Sequence, residues 1–221
     1  GGGAGGGASA GACVAAYTVD TMGTLRLSER TDLTLQVEGS ESTYGLRGPR
    51  VAVRARISFD GGGSWRNLFD GRSVRGGETA VFRSVPSGSS VLLEINGRYS
   101  WVFNQTVASG QGNSRVQVLR PGATAPDTQP IRGRDGLKTF LSGMLNDDRT
   151  LRIDDDQIAY LVELGDVNTS SDFQDAVVTV ALTKSGCASQ AASSSSQSSA
   201  PAASSASSSA APAGNGDSDN D

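Results

Sequence analysis

Residues 51–59 read VAVRARISF, and apolar side chains alternate there with polar or small ones. An alternation with a period of two residues is typical of a β-strand that buries one of its faces. Val53 and Ile57 are therefore predicted to point into a core, while Arg54 and Arg56 point to solvent. This stretch has the clearest strand pattern in the chain, and it indicates a β protein.

Similar strand patterns lie on both sides of this stretch, between turns rich in Gly, Ser and Pro. They cover residues 24–28, 33–37, 79–84, 91–96, 99–107, 115–119, 158–164 and 176–182. Residues 24–28 and 33–37 are predicted to pair as a hairpin. Short strands at this spacing predict an all-β fold, a β-sandwich of the immunoglobulin-like or jelly-roll-like kind.

One short helix is predicted near residues 137–144. Apolar residues recur there at positions i, i+3, i+4 and i+7, counted from Leu137, which is the spacing of one helix face. Asp135 lies just ahead as a candidate N-cap. We expect this helix to close one end of the sandwich. Residues 121–134, rich in Pro and Gly, are expected to form an exposed connector.

The chain has two cysteines, Cys13 and Cys187, and they bracket the strand-patterned region. Residues 1–12 form a Gly-rich extension, residues 13–187 the predicted β-sandwich domain, and residues 188–221 a Ser/Ala/Pro-rich low-complexity tail. A disulfide between the two cysteines would tie the start of the domain to its end, and such a bond persists in an oxidising compartment. An extracellular or cell-surface location follows from this expectation.

The tail is predicted to act as a stalk, because it is too polar to bury a core of its own. Its last residues, GNGDSDND, are small and polar, as at sites where a lipid anchor is attached. A plain linker and a truncated end are the alternatives. No apolar run approaches the roughly 20 residues of a membrane-spanning helix, so no membrane span is expected.

Composition excludes several function classes. The chain contains no histidine, which removes Ser-His-Asp and Cys-His catalysis and His-ligated zinc. The net charge of −4 gives no general reason to expect nucleic-acid binding. Glycoside hydrolysis by two carboxylates needs no histidine, but no pair of acids here has a recognisable context. The chain is therefore expected not to be an enzyme.

Charge is unevenly distributed along the chain. Residues 46–120 hold 11 arginines against 4 acids, whereas residues 135–180 hold 10 acids against 3 cations. The two sets of charges either mix on the folded surface or mark head-to-tail contacts between copies. An arginine face for an acidic polysaccharide is a further interpretation.

Residues 58–65 contain Ser58, Asp60, Gly62 and Trp65 at the spacing S-x-D-x-G-x-x-W. This pattern resembles the Asp-box hairpin of sialidase-type propellers. The resemblance implies that Asp60 accepts backbone hydrogen bonds within a turn, that Gly62 takes a turn conformation and that Trp65 packs beneath it. One box alone does not imply a propeller, which needs several at repeat spacing, so the resemblance supports an extracellular hairpin.

Acidic residues near the end of the domain are candidate calcium ligands, and no other cofactor is expected. Residues 171–178 read SDFQDAVV, which resembles the D-F-N-D-x-V motif of calcium-linked β-domains in secreted and surface proteins of bacteria. Calcium binds six to eight oxygen ligands, several of them carboxylates. The predicted ligands are Glu163, Asp166, Asp172 and Asp175. Solvated turns are the alternative interpretation.

Two glycosylation sequons occur, at Asn104 and Asn168. Trp65, Tyr99 and Trp101 either form a sugar-stacking platform or belong to the core. Together these features predict a non-catalytic secreted or cell-surface protein with a structural or adhesive role, such as a self-assembling filament or coat subunit. Its partners would then be other copies, other surface proteins or a polysaccharide. The alternative is a carbohydrate-binding module on a stalk.

Overall fold

The computed structural model of the chain describes residues 13–44, 48–112, 114–128, 136–165 and 173–187. The Gly-rich extension 1–12 and the tail 188–221 lie outside the described residues, so the domain boundaries stay predictions.

Within these ranges the chain forms eleven strands and one α-helix. In chain order they are β1 (Tyr17–Val19), β2 (Leu25–Leu27), β3 (Thr31–Gly39), β4 (Ala52–Ser58), β5 (Arg66–Asn67), β6 (Thr79–Val85), β7 (Ser90–Tyr99), β8 (Phe103–Ala108), β9 (Val116–Leu119), α1 (Leu137–Phe140), β10 (Gln157–Val162) and β11 (Ala176–Lys184). A 3-10 turn at Phe69–Gly71 follows β5.

The strands form two antiparallel sheets that share one core. The first sheet has the order β1-β2-β7-β4-β5, and β8 also pairs with β7. The second sheet has the order β6-β3-β11-β10-β9. The predicted all-β sandwich with one short helix is confirmed.

The core between the sheets is built from the inward-facing residues of the long strands. On β4, Val53, Ala55 and Ile57 are each at most 2% exposed, as the alternation predicts. They pack against inward-facing residues of the second sheet, among them Leu35 on β3 and Val180 on β11. Burial of branched aliphatic side chains from both sheets is the main stabilising term of such a sandwich.

The predicted hairpin of residues 24–28 and 33–37 is wrong. β2 pairs with β1 and β7 in the first sheet, whereas β3 lies between β6 and β11 in the second. Residues 28–30 carry the chain from one sheet to the other. Alternation indicates which face a strand buries, but it does not indicate which strand lies next to it. Two strands that bury the same core from opposite sheets have the same pattern as two strands paired in a hairpin.

The outer face of β10 and of the start of β11, in the second sheet, is covered by residues 120–128 and 136–153, the cover segment. Leu141 and Leu151 of the cover segment pack on Leu161 of β10 and Val177 of β11, and all four side chains are buried. The apolar residues of this cluster form a second core outside the sandwich. In the described structure, β10 and the start of β11 are therefore buried on both faces, whereas outward residues of β3 and β6, such as Gln36 and Val81, are exposed.

The helix differs from the prediction in length and in place. α1 is a single turn with Gly136 as its N-cap, and Asp135 lies outside the described residues. Gly143, which follows within the next turn, has φ +83°, a left-handed conformation that cannot continue a helix. Leu137 and Leu141 are buried against the sheet, so the helix covers a sheet face and does not close an end of the sandwich.

The expected exposed connector, residues 121–134, is wrong for residues 121–128, and residues 129–134 lie outside the described residues. Ala125 is 3% exposed, and Thr124 forms a β-bridge with Thr150. The Leu151 amide donates to the Ala123 carbonyl at 2.8 Å. Pairing with residues 149–151 satisfies the backbone of a segment whose composition reads as loop.

The predicted disulfide between Cys13 and Cys187 is present. Their Cα atoms are 5.6 Å apart across a sequence separation of 174 residues. The Ala15 amide donates to the Leu182 carbonyl at 3.1 Å, so the start of the domain lies along the end of β11. Closing a loop of this length stabilises the fold by about 5 kcal/mol in the chain-entropy model.

Candidate functional site

The outer face of the first sheet carries an open groove with polar walls. The alternation that buries Val53 and Ile57 turns Arg54 and Arg56 toward this groove. We call it the Arg groove. Its lining residues are Arg54, Arg56, Asn67, Glu94, Asn96, Arg98, Asn104 and Thr106, around a volume of about 320 Å³.

One arginine of the Arg groove is fixed by a buried carboxylate. Arg56 Nη2 lies 2.5 Å and its Nε 2.7 Å from Glu94 Oε1. The guanidinium carbon of Arg56 also lies 5.6 Å from the centre of the half-buried Trp65 ring, a cation–π distance. Glu94 is 7% exposed, so this pair is a structural part of the groove floor.

The other two arginines carry uncompensated charge. Arg54 and Arg98 are exposed, and neither forms an ion pair with any residue that the structure describes. Arg54 lies opposite Asn96 in the β4–β7 register, and Arg98 lies opposite Ala52. The lining of the groove thus contains three arginines and one acid, which makes it positive.

Amides and a hydroxyl complete the wall of the groove on β7 and β8. Asn96 Nδ2 donates to Asn104 Oδ1 at 3.0 Å, to the Gln105 carbonyl at 3.2 Å and to Thr106 Oγ1 at 2.8 Å. This network fixes the Asn96 side chain across the two strands. Asn104, the first predicted glycosylation site, is therefore an exposed groove residue whose amide oxygen is engaged.

The hairpin between β7 and β8 ends in exposed apolar side chains. Residues 99–107 were expected to be one strand, and this is wrong: Tyr99 pairs with Phe103 around a three-residue turn. Ser100 has φ +50° in this turn, and Trp101 is 89% exposed at its apex. Aromatic residues recur at every second position, 99, 101 and 103, through the turn, so the sequence pattern could not mark it.

Aromatic rings support the base of this turn. Tyr44, itself 44% exposed, stacks on Tyr99 with ring centres 5.7 Å apart and meets Phe103 edge-on at 6.1 Å. We call Tyr44, Tyr99, Trp101, Val102 and Phe103 the aromatic tip. Of the predicted sugar-stacking residues, Trp65 and Tyr99 are half-buried, while Trp101 is free to contact a ligand.

The turn after β4 is held by its own side chains. Asp60 Oδ1 accepts from the Ser58 hydroxyl at 2.7 Å and from the Ser64 amide at 2.9 Å. Gly62 donates its amide to Ser58 Oγ at 2.8 Å and has φ +100°, which favours glycine. Hydrogen bonds from the Ser64 and Ser58 hydroxyls hold the pKa of Asp60 well below its usual range. Membership of the Asp-box class stays a prediction.

Among the described strands, β6 pairs with β3 alone, so it is an edge strand of the second sheet beside this turn. Val81 on β6 is 50% exposed, and Phe82 packs edge-on against Phe59 at 5.1 Å between ring centres. A shallow pocket of about 570 Å³ lies between β6 and the Ser58–Trp65 turn. An open edge of this kind can accept a further strand.

A buried carboxyl pair lies at the end of β10 and the start of β11. Glu163 is 5% and Asp175 7% exposed, and the two side chains hydrogen bond each other. Asp175 Oδ2 accepts from the Leu164 amide at 2.6 Å, and Glu163 Oε1 from the Gly165 amide at 2.8 Å. Burial and the neighbouring Glu163 carboxyl raise the pKa of Asp175 to about 7.

The structure brings together two of the four predicted calcium ligands, Glu163 and Asp175. Asp166 and Asp172 lie outside the described residues, as does the second sequon at Asn168. Within the described ranges, no three His, Cys, Asp or Glu side chains converge on a common point. Two carboxyl groups supply fewer oxygens than calcium requires, so a calcium site stays a prediction.

Searches of protein-family models, of curated proteins and of solved structures each gave no match. Among the described residues, the structure shows no helix with the length and apolar character needed to cross a bilayer. Function is therefore inferred from the geometry of the surfaces themselves.

Proposed function

We propose that this protein is a non-catalytic structural or adhesive component of a cell surface or extracellular matrix. The observation that carries this proposal is the difference between the two outer sheet faces. The cover segment buries the outer face of β10 and the start of β11 in the second sheet, whereas the first sheet presents the Arg groove, with two unpaired arginines, to solvent. An uncovered face with unpaired charge is a surface that can bind a partner of opposite charge.

The disulfide supports an extracellular or cell-surface location. The Cys13–Cys187 bond ties the N-terminal residues beside β1 to the end of β11, and so links the termini of both sheets. Disulfides of this structural kind are typical of secreted proteins.

The carboxyl pair gives no support to a glycosidase. Glycosidases hold two carboxyl groups about 5–10 Å apart on either side of a substrate. Glu163 and Asp175 contact each other directly and are buried, and backbone amides occupy their oxygens. Their arrangement is that of a structural pair at a strand end.

Self-association is the form of this function that the sheet edges favour. The β6 edge and the exposed Val81 offer unpaired backbone and apolar surface to another copy. Electron microscopy of material taken from its natural source is expected to show filaments or a lattice. Sedimentation of purified protein at high concentration, with calcium present, is the solution counterpart. A protein that stays dispersed in both measurements is not an assembly subunit.

The second candidate function is a carbohydrate-binding module, and the exposure of Trp101 favours it. A ring that is 89% exposed at a hairpin apex contributes little to the core. Trp101→Ala is expected to change the free energy of unfolding by less than about 0.5 kcal/mol. The same variant should lose binding on a glycan array. If glycan binding survives in Trp101→Ala, the aromatic tip is not the sugar contact.

A further inference from the structure

We propose that the Arg groove is the binding site for an anionic polysaccharide, one that bears carboxylate or sulfate groups. Arg54 and Arg98 would contact the acidic groups, and the adjoining amides the hydroxyl groups. This inference rests on the adhesive function proposed above and names its ligand.

The first support is the placement of the two unpaired arginines. Arg54 and Arg98 lie on neighbouring strands, offset by two residues in the register, so their Cα atoms are diagonal neighbours about 7–8 Å apart. Like charges at this spacing repel each other, and no described carboxylate neutralises either of them. An anionic ligand would remove this repulsion and form charge-assisted hydrogen bonds with both guanidinium groups.

The second support is the fixed geometry of the groove. Glu94 and Trp65 hold Arg56 from two sides, and the hydrogen bonds of Asn96 fix the opposite wall. A groove whose polar groups are already oriented loses little conformational entropy when a ligand binds. Arg56 is neutralised by Glu94, so it shapes the groove while Arg54 and Arg98 supply its charge.

The third support is the chemistry of the lining. The Asn67 amide and the atoms that the Asn96 network does not use, Asn96 Oδ1, Asn104 Nδ2 and the Thr106 hydroxyl hydrogen, match the hydroxyl groups of a sugar chain. Protein interfaces have apolar cores instead, and the described lining of the groove contains no aliphatic or aromatic residue. The groove therefore suits a polysaccharide better than the acidic surface of a second copy.

The fourth support is the aromatic tip. Arg98 of β7 lies opposite Asn104 of β8. The next pair along this hairpin is Tyr99 and Phe103, at the base of the turn that carries the exposed Trp101. The groove therefore runs toward Trp101. An exposed indole ring offers a flat apolar surface against the C–H face of a sugar ring. A polymer long enough to pass from the groove to the tip would contact both.

The test uses the full chain and three anionic polymers, hyaluronan, alginate and heparin, with dextran as the neutral polymer. Isothermal titration is expected to show binding to at least one anionic polymer and none to dextran, with affinity falling as salt rises. The Arg54→Gln/Arg98→Gln double variant should weaken that binding at least about tenfold. The matched control is Arg30→Gln/Arg75→Gln, which removes the same charge from exposed residues outside the groove and should bind as the wild type does.

Equal loss of binding in both double variants would overturn the site, since net charge and not the groove would then set the affinity. Binding to no anionic polymer would overturn the inference altogether. Sedimentation in the same buffers separates this result from failure of the proposed function. The protein could self-associate without binding polysaccharide, and Arg54→Gln/Arg98→Gln could abolish that self-association. This result would assign the groove to a second copy and leave the proposed structural function standing.

Discussion

The two outer faces of the sandwich differ in what covers them. The outer residues of β10 and β11 include Leu161 and Val177, and the cover segment buries both. The outer residues of β4 and β7 include Arg54 and Arg98, and they remain exposed. A strand whose residues are apolar on both faces is buried on both, and a strand with one polar face leaves that face in water. The comparison separates the part of the protein that stabilises the fold from the part available to a partner.

The disulfide ties the residues before β1, in the first sheet, to the end of β11, in the second. Its removal is expected to cause the largest loss of stability. Cys13→Ser/Cys187→Ser should lower the free energy of unfolding by about 5 kcal/mol, because the unfolded chain regains its loop entropy. Urea denaturation of the oxidised wild type and the variant measures the difference. A loss well below 2 kcal/mol would mean that the termini are held by other contacts.

A matched pair of alanine substitutions tests the comparison directly. Leu161→Ala, under the cover segment, should cost about 2–5 kcal/mol, since it removes a fully buried side chain and leaves a cavity. Arg54→Ala, on the exposed face, should change stability by less than about 0.5 kcal/mol. Equal costs in denaturation would contradict the distinction between the two faces.

The two regions should also respond to pH in opposite directions. Asp175, beside the second sheet, has a pKa raised to about 7, against about 3.9 in an unfolded chain. Below about pH 4, Asp175 makes its full contribution to the free energy of unfolding. That contribution, on the order of a few kcal/mol, is lost as pH rises through 7. Asp175→Asn should therefore flatten the dependence of Tm on pH between 4 and 8, as measured by calorimetry.

Asp60, beside the first sheet, is the control for this effect. Its pKa is lowered, so the stability it supplies is present above its ordinary pKa and is lost only as pH falls into the acid range. Asp60→Asn should leave the slope of Tm against pH between 4 and 8 as in the wild type.

Calcium added at pH 8 should raise the Tm of the wild type and not that of Asp175→Asn if the predicted cation site exists.

The smallest of the expected losses of stability comes from Gly39, where the cover segment closely contacts the second sheet. A Cβ atom at Gly39 would lie 2.0 Å from Phe140 Cδ1, so Gly39→Ala should cost about 1–3 kcal/mol through overpacking. Phe140→Ala makes room for the added methyl group, so the double variant should lose less than the sum of the two single variants. Strict additivity in denaturation would show that the ring does not rest on Gly39.

The strands and their inward faces could be read from the sequence, because alternation is a local signal. The pattern of residues 51–59 predicted β4, which spans Ala52–Ser58 with Val53 and Ile57 buried. The second core also had a local signal: IAYLV in β10 and AVVTVAL in β11 are apolar on both faces. Such runs indicate strands covered on both sides.

The candidate site was predictable only in part. Arginines on the outward side of residues 51–59 follow from the alternation, but Arg98, Asn96 and Asn104 join them through the β4–β7–β8 register. Trp101 reads as a strand residue because the turn around it has no Gly, Pro, Asn or Asp to mark it. Its exposure comes from the hairpin pairing.

The sequence by itself determined the class of fold, the strand faces and the cysteine bracket, since periodicity and composition are properties of the chain. The tertiary structure alone decided which strands are neighbours, which sheet face the cover segment buries and which charges remain unpaired. Those features depend on contacts between residues far apart in sequence, such as Arg56 with Glu94 and Phe140 with Gly39. No local pattern encodes such pairings, because many registers bury the same apolar faces and burial alone does not choose among them.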